Sequence, residues 1–332
     1  MQTLIESINK KSLCFAKKLL LQGESVAFPT ETVYGLGGDA RSDAAVENIY
    51  RVKGRPSDNP LIVHVHSDYD ISSLVEDVYP YTAVLRERFL PGPLTLVYKS
   101  KGVVSSKVSC GLNTLAIRVP SHEGAQMFLR YVDLPIAAPS ANLSKHVSPV
   151  SAEHVFADLN GRIPLILDGG SCSGGIESTV CDVTGEYPQI LREGLITREM
   201  IAEAVGRCDV YRPISGEQVR SPGMKYKHYS PSCETKLYSS NNLAAAKERY
   251  EQAVRDGLLV CVLCETKVSS SFPSDAVLDL GNDGYQMASR LYELLRIAEK
   301  RADLLIAVAP EETDGVMAGV HNRLNKACAD KR

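Results

Sequence analysis

At 332 residues the chain is longer than one hydrophobic core usually organises, so two domains are expected. Hydrophobic residues make up 44% and charged residues 23%, ordinary values that exclude a disordered chain. A formal net charge of −3 excludes a broad basic face for nucleic acid and leaves room for a local cationic pocket. The 9 cysteines are odd in number and scattered, which argues for reduced thiols in a cytoplasmic setting. Cys261 and Cys264 form a CxxC within an apolar run, where an odd separation sends them to opposite faces of a strand, so a metal or redox role is not the expectation. No secretory signal pattern opens the sequence and no apolar run reaches about 18 residues, so a membrane span is not expected.

In chain order, Leu13, Ala16, Leu19 and Leu20 recur at helical spacing and predict a helix over Ser12 to Leu21, stopped at Gly23. Strands are expected at Ser25 to Phe28, Leu61 to Val65, Leu94 to Tyr98, Leu115 to Val119, Pro135 to Ala138, Leu165 to Leu167, Thr179 to Val183 and Gln189 to Leu191. Helical patterns separate only some of them. That mixture predicts a mixed, twisted α/β sheet over residues 1–212 rather than a repeating βαβ array. Residues 213–232 are rich in turn, basic and aromatic types and read as a linker. Beyond it, a helix over Leu243 to Val254 ended by Gly257, strands at Leu258 to Leu263 and Leu304 to Val308, and a helix over Tyr285 to Arg301 predict a smaller α/β domain over 233–332.

Five stretches carry chemistry. Pro29-Thr30-Glu31-Thr32-Val33-Tyr34-Gly35-Leu36-Gly37 follows a strand and combines hydroxyls with glycines that would let backbone approach a ligand, although a capped βα turn has the same local composition. Lys53-Gly54-Arg55-Pro56-Ser57-Asp58-Asn59-Pro60 follows a helical pattern. Gly54 there serves as a helix cap, while the prolines stiffen a loop that displays two cations and an amide, as a phosphate site requires. Arg118 lies across the strand from Leu115, Ile117 and Val119; it faces either water or a cavity, where a substrate carboxylate would neutralise it. His64 sits similarly in its own strand, where a core histidine bonded to backbone is the simpler reading. Pro139-Ser140-Ala141-Asn142 and the glycine loop from Asp168 to Val180 end and begin strands, and Ile190-Leu191-Arg192-Glu193-Gly194 adds one more cation at a strand end. Neither a Walker pattern nor GxGxxG is present.

Taken in order, Pro29–Leu36, Lys53–Leu61, Pro139–Asn142, Glu177–Val180 and Leu191–Gly194 resemble the threonylcarbamoyl-AMP synthase family, with its YrdC-like catalytic domain. The trailing Ser221-Pro222-Gly223-Met224-Lys225-Tyr226 linker and smaller Rossmann-like α/β domain resemble the family's long form. The resemblance implies that Thr32, His64, Arg118, Ala138 and Ser178 surround L-threonine. It implies that Arg55, Asn59, Thr114, Ser140, Asn142, Arg192 and one of Tyr226 or Tyr229 surround ATP, with Lys53 and Arg55 at the reacting phosphates. Asn113 and Ser171 stand where aspartate and proline are expected, and neither removes a proposed contact.

The implied activity is that of a nucleotidyltransferase. L-threonine, bicarbonate and ATP give threonylcarbamoyl-AMP, pyrophosphate and water, for N6-threonylcarbamoyladenosine formation in tRNA. Mg²⁺ is expected with ATP, held by phosphates and water rather than by a protein cage, so no metal ligands are assigned. The product would pass to a tRNA threonylcarbamoyl transferase complex, and direct tRNA contact stays open. Two competing readings are a carbamoyl-phosphate-dependent carbamoyltransferase, whose zinc-finger cysteine pairs are missing here, and a non-catalytic RNA-binding module, which the near-neutral charge disfavours.

Overall fold

The computed structural model describes residues 1–212 and 229–329. Most of the expected linker, Tyr226 included, lies outside the described residues. Two compact units divide the chain, Met1–Ser144 with Ser148–Lys225, and Lys145–Val147 with Tyr226–Arg332. The division falls between Lys225 and Tyr226, within residues 213–232, and one short segment, Lys145–Val147, groups with the second unit.

The first unit begins β1 (Leu4–Ser7), α1 (Lys10–Leu21), β2 (Val26–Phe28), β3 (Gly35–Asp39), α2 (Asp43–Lys53), β4 (Ile62–His64), β5 (Val75–Glu76), α3 (Tyr81–Phe89) and β6 (Leu94–Ser100). It continues with α4 (Ser106–Ser109), β7 (Thr114–Arg118), α5 (Glu123–Val132), β8 (Ile136–Ala137), α6 (Ala152–Leu159), β9 (Leu165–Asp168), β10 (Thr179–Asp182), β11 (Gln189–Arg192), α7 (Arg198–Val205) and β12 (Asp209–Val210). Among the described residues these strands make one 12-stranded sheet in the order β1-β9-β2-β3-β8-β4-β7-β6-β10-β11-β12, with β5 paired to β6. The pairing is mixed: β4·β7 and β6·β10 are parallel, whereas β6·β7 and β10·β11 are antiparallel.

Local sequence chemistry sets the helix ends. Asn9 and Ser12 form a reciprocal capping box at the start of α1, satisfying orphan N–H groups of the first turn. Gly54 closes α2 in the left-handed region at φ 60°, where a Cβ would be strained. Leu13, Ala16, Leu19 and Leu20 of α1 pack with Phe128, Leu129 and Val132 of α5 over Val26, Phe28, Ile136, Leu165 and Leu167, a single apolar core on one side of the sheet. Phe28 is its centre, with ring centroids 5.1 Å from Phe128 and 5.7 Å from His64.

Periodicity does not predict strands β1, β3, β5 and β12. For β3 the reason is physical: Gly35-Leu36-Gly37-Gly38-Asp39 has almost no side chains to alternate. A Cβ on Gly37 would stand 2.7 Å from Ile136 and 3.0 Å from the Phe28 ring. These glycines make room for the core, so the expectation that Gly35 and Gly37 admit a ligand is corrected.

The second unit contains β13 (Glu234–Ser239), α8 (Leu243–Arg255), β14 (Val260–Cys264), α9 (Thr266–Ser269), β15 (Val277–Asp279), α10 (Gly284–Arg301), β16 (Leu304–Ala309) and α11 (Val316–Ala327). Its four strands are all parallel, in the order β13-β16-β14-β15. All six residues of β16 are buried, as a parallel strand covered on both faces requires. Cys264 joins the core with Ala246, Ala253, Val262 and Ile306, and Cys261 is a buried free thiol outside that cluster, as their odd spacing predicts. No helix among the described residues is long and apolar enough to cross a membrane.

Phe28→Ala is expected to lower the unfolding free energy of the first unit by about 3–5 kcal/mol, because it removes a ring and leaves a cavity at the core's centre. A urea titration followed by far-ultraviolet circular dichroism measures this, and an unchanged midpoint would contradict the packing described.

Candidate functional site

Three adjacent strands bring the polar side chains together. In the sheet register His64 of β4 is opposite Arg118 of β7, Arg118 is opposite Thr95 of β6, and Thr95 is opposite Val180 of β10, so His64, Arg118 and Thr95 share one face. Ser178, one residue before β10, closes the row through a hydrogen bond of 2.8 Å between its hydroxyl and that of Thr95. All four residues are buried, at 3% exposure or less.

Arg118 is therefore not turned to water. Its Nη2 lies 2.9 Å from Oε1 of Glu31, and the other Glu31 oxygen accepts from the Ser121 N–H at 3.2 Å. The Arg118–Glu31 approach has ion-pair distance without hydrogen-bond direction, so Nε and Nη2 of Arg118 and Oε1 of Glu31 keep hydrogen-bonding capacity with no partner. A buried guanidinium in that condition is costly unless a ligand completes it, and a carboxylate is the group its planar fork fits.

His64 stays uncharged in the fold. Burial, followed by the neighbouring Arg118 charge, drives its pKa down to about 3 from the ordinary 6.5. Nδ1 lies 3.2 Å from the Ile62 carbonyl, which can only accept, so this contact is a hydrogen bond in the tautomer that carries its hydrogen on Nδ1. Thr32 is fully buried in the Pro29–Tyr34 turn, its hydroxyl 3.0 Å from that of Thr30. Ala138 is anchored by its N–H to the Ile62 carbonyl at 2.9 Å, which sets it beside the His64 strand.

A second cluster gathers around the end of α2. Lys53 is 3% exposed, which corrects the picture of a side chain displayed on a loop. Its Nζ donates to the carbonyls of Ser140 and Asn142 at 2.5 and 2.6 Å and lies 3.4 Å from the Asn142 side-chain oxygen. Burial, then the Arg55 charge, pushes the Lys53 pKa well below its ordinary value, while Asp158 and Glu177 oppose that shift. The Ser140 hydroxyl donates to Asn142 Oδ1 at 2.6 Å, so Lys53, Ser140 and Asn142 form one rigid corner.

Arg55 is half-buried and donates through Nη2 to the Asn59 carbonyl at 2.8 Å, holding its own loop closed. With Arg51, Lys107 and Glu47 it lines an open cavity of about 810 Å³, but Asn59, Thr114, Ser140, Asn142 and Arg192 do not line that cavity. Asn59 is fully buried, and neither its amide nitrogen nor its amide oxygen has a partner. Native interiors rarely leave both ends of a carboxamide unsatisfied, so this side chain has capacity for a further polar partner, a water or a ligand.

Arg192 joins the two clusters of assignments. Its guanidinium donates to the Ser178 carbonyl at 2.9 and 3.1 Å and to the Ser178 hydroxyl at 3.2 Å, so a residue assigned to the nucleotide holds one assigned to the amino acid. Thr114 begins the strand that Arg118 ends, half-buried and about 13 Å away by strand rise. Tyr229 belongs to the second unit, where its ring stacks on Tyr292 at 5.3 Å.

Sequence reasoning missed Glu31, Thr95 and Ser148 as part of this site. Ser148 is fully buried and donates to Glu177 Oε1 at 2.7 Å. None of the three had a sequence signal for this role, since Thr95 shares a face with Arg118 only through the pairing of β6 with β7. The glycine loops also serve the packing, since a Cβ on Gly194 would stand 2.5 Å from the Thr179 nitrogen and 2.7 Å from the Glu177 oxygen.

Comparison with known proteins adds kinship to this geometry. The family model for Sua5, YciO and YrdC, described as telomere recombination, matches residues 18–194, and the threonylcarbamoyl-AMP synthase C-terminal domain matches residues 196–329. A Pyrococcus abyssi threonylcarbamoyl-AMP synthase is 38% identical over 97% of this chain and 95% of its own, and a Bacillus subtilis threonylcarbamoyl-AMP synthase is 40% identical over 98% and 95%. The crystal structure of P. abyssi Sua5 complexed with L-threonine superposes with a TM-score of 0.89 at 37% identity, covering 98% of this chain and 97% of that one.

Two measurements test the site as built. The His64 imidazole is expected to keep neutral-form NMR shifts from pH 8 down to about 4, because its folded pKa is about 3. Its contribution to stability is complete above the unfolded pKa of 6.5 and declines as pH falls from there towards 3, since the unfolded chain takes up the proton first. Titration of His64 near 6.5 would overturn the buried placement. Gly194→Ala is expected to lower the melting temperature, because the new methyl meets backbone rather than a movable side chain.

Proposed function

The chain belongs to the threonylcarbamoyl-AMP synthase family, and from that premise we propose that it converts L-threonine, bicarbonate and ATP into threonylcarbamoyl-AMP, pyrophosphate and water. The observation that carries this reading is the pairing of two unsatisfied buried groups in one unit. Arg118 offers uncommitted guanidinium N–H groups for a carboxylate, and Asn59 offers an uncommitted amide beside the cationic Arg55 loop for a nucleotide.

Threonine would enter with its carboxylate on Arg118 and its remaining polar groups among Thr32, His64, Ala138 and Ser178. Neutral His64 can serve there without adding a second positive charge. ATP would lie along Arg55, Asn59, Thr114, Ser140, Asn142 and Arg192, with Lys53 holding the Ser140–Asn142 corner. The threonine amine adds to bicarbonate-derived carbon dioxide, and a carbamate oxygen attacks the α-phosphorus and expels pyrophosphate. No protein nucleophile takes part, so rate enhancement rests on alignment and on cations facing the developing phosphate charge. Among the described residues no cluster of three or more His, Cys, Asp or Glu side chains could hold a metal. Mg²⁺ would accompany the nucleotide on phosphate oxygens and water, where it neutralises phosphate charge. The adenylate would then be handed to a tRNA threonylcarbamoyl transferase complex for N6-threonylcarbamoyladenosine formation.

Pyrophosphate release from ATP is expected to require both threonine and bicarbonate, with serine a poorer substrate; release without either addition would reject the assignment. Arg55→Ala is expected to reduce turnover roughly 10- to 100-fold while the fold survives, the scale of one charge-assisted contact. Arg118→Ala is expected to raise the KM for threonine far more than that for ATP, and equal effects on both would count against the carboxylate role.

A further inference from the structure

We infer that Thr95 is a positioning residue that fixes the hydroxyl proton of Ser178 and so couples the threonine and nucleotide halves of the pocket. The inference rests on the functional reading above and extends it to a residue that touches neither proposed substrate in that reading.

Thr95 occupies the middle of three adjoining strands. On one side its register partner is Arg118, and on the other the chain that enters β10 carries Ser178. Its hydroxyl is buried and makes one hydrogen bond among the described residues, to the Ser178 hydroxyl at 2.8 Å. Arg192 meets the same Ser178 oxygen from the other side at 3.2 Å. Guanidinium has only donors, so Ser178 must accept that bond. Two arrangements then remain for the Thr95–Ser178 pair. If Ser178 donates to Thr95, the Thr95 proton is left without an acceptor inside the sheet, a costly state for a buried hydroxyl. If Thr95 donates to Ser178, both lone pairs of Ser178 are filled and its own proton is left free for an incoming acceptor. The second arrangement satisfies the interior and gives Ser178 a directed donor, which suits an anionic amino-acid substrate.

The choice of residue fits this role. A β-branched side chain is favoured at a central strand position, and valine would provide the same shape without the hydroxyl. Leu94, Leu96 and Val97 around it are apolar and buried, so a polar atom here needs a reason beyond solubility. Because Arg192 and Thr95 share one acceptor, a nucleotide that pulls on Arg192 also alters the hydrogen bond available to threonine.

The test uses the full chain and the variants Thr95→Val, Thr95→Ser and Ser178→Ala. Calorimetric titration with L-threonine alone is expected to show about a tenfold weaker Kd for Thr95→Val, the factor carried by about 1.4 kcal/mol, with ATP affinity nearly unchanged. Thr95→Ser is expected to restore threonine binding. In the Ser178→Ala background, Thr95→Val is expected to cost nothing further, since both changes remove the same directed proton. Unchanged threonine affinity in Thr95→Val, failure of Thr95→Ser to rescue, or additive losses in the double variant would each overturn the inference. Wild-type protein that binds threonine but releases no pyrophosphate would overturn the reaction and leave Thr95 standing. Wild-type protein that does not bind threonine would overturn both.

Discussion

A guanidinium cannot be placed under a β-sheet without something negative to answer it, and the organisation of the first unit follows from how Arg118 is answered. Glu31 supplies an opposing charge at 2.9 Å but not a directed hydrogen bond, so the pair is held and incomplete. A fully satisfied pair would be a structural strut. The incomplete one retains donor capacity that a substrate carboxylate can fill, and the Arg118 charge adds to burial, the larger cause, in keeping His64 neutral.

The same constraint governs the other cations. Lys53 commits its ammonium to the carbonyls of Ser140 and Asn142, which makes it the post that holds the Ser140–Asn142 corner beside the end of α2. Arg192 commits its guanidinium to Ser178 and thereby ties the last strand of the motif set to the row of His64, Arg118 and Thr95. Arg55 is the more exposed cation, held over its loop by the Asn59 carbonyl. Rigid attachment of this kind is what a reaction without a protein nucleophile needs, because its rate depends on the alignment of three substrates.

The two units bury their strands by different means. The first uses a mixed sheet whose glycine-rich β3 is thin enough to accept Phe28 and Ile136 against it. The second uses four parallel strands with helices between them, and only its central strand β16 is buried along its whole length. Buried side-chain atoms with spare hydrogen-bonding capacity occur in both units, at Asn59 and Arg118 in the first and at Glu265 and Asn322 in the second, and it is the first that the Sua5, YciO and YrdC family model matches.

The sequence by itself determined most apolar strands and the helices α1, α2, α8 and α10, since a repeat of 2 or 3.6 residues is written locally, and the motif order carried the family, but it left α3, α5, α6, α7, α11, β13 and β15 unpredicted. It also marked Lys53, Arg55, Arg118 and Arg192 as unusual cations at element ends. It did not reveal β3, whose glycines carry no periodicity, or the facts that Lys53 is buried and that Glu31 faces Arg118. Those depend on which strands become neighbours: Glu31 and Arg118 are distant along the chain, and only the pairing of β4, β7, β6 and β10 sets Thr95 between Arg118 and Ser178. Hydrogen-bond direction is a property of atoms brought within about 3 Å of one another, and no local pattern of residue types encodes it.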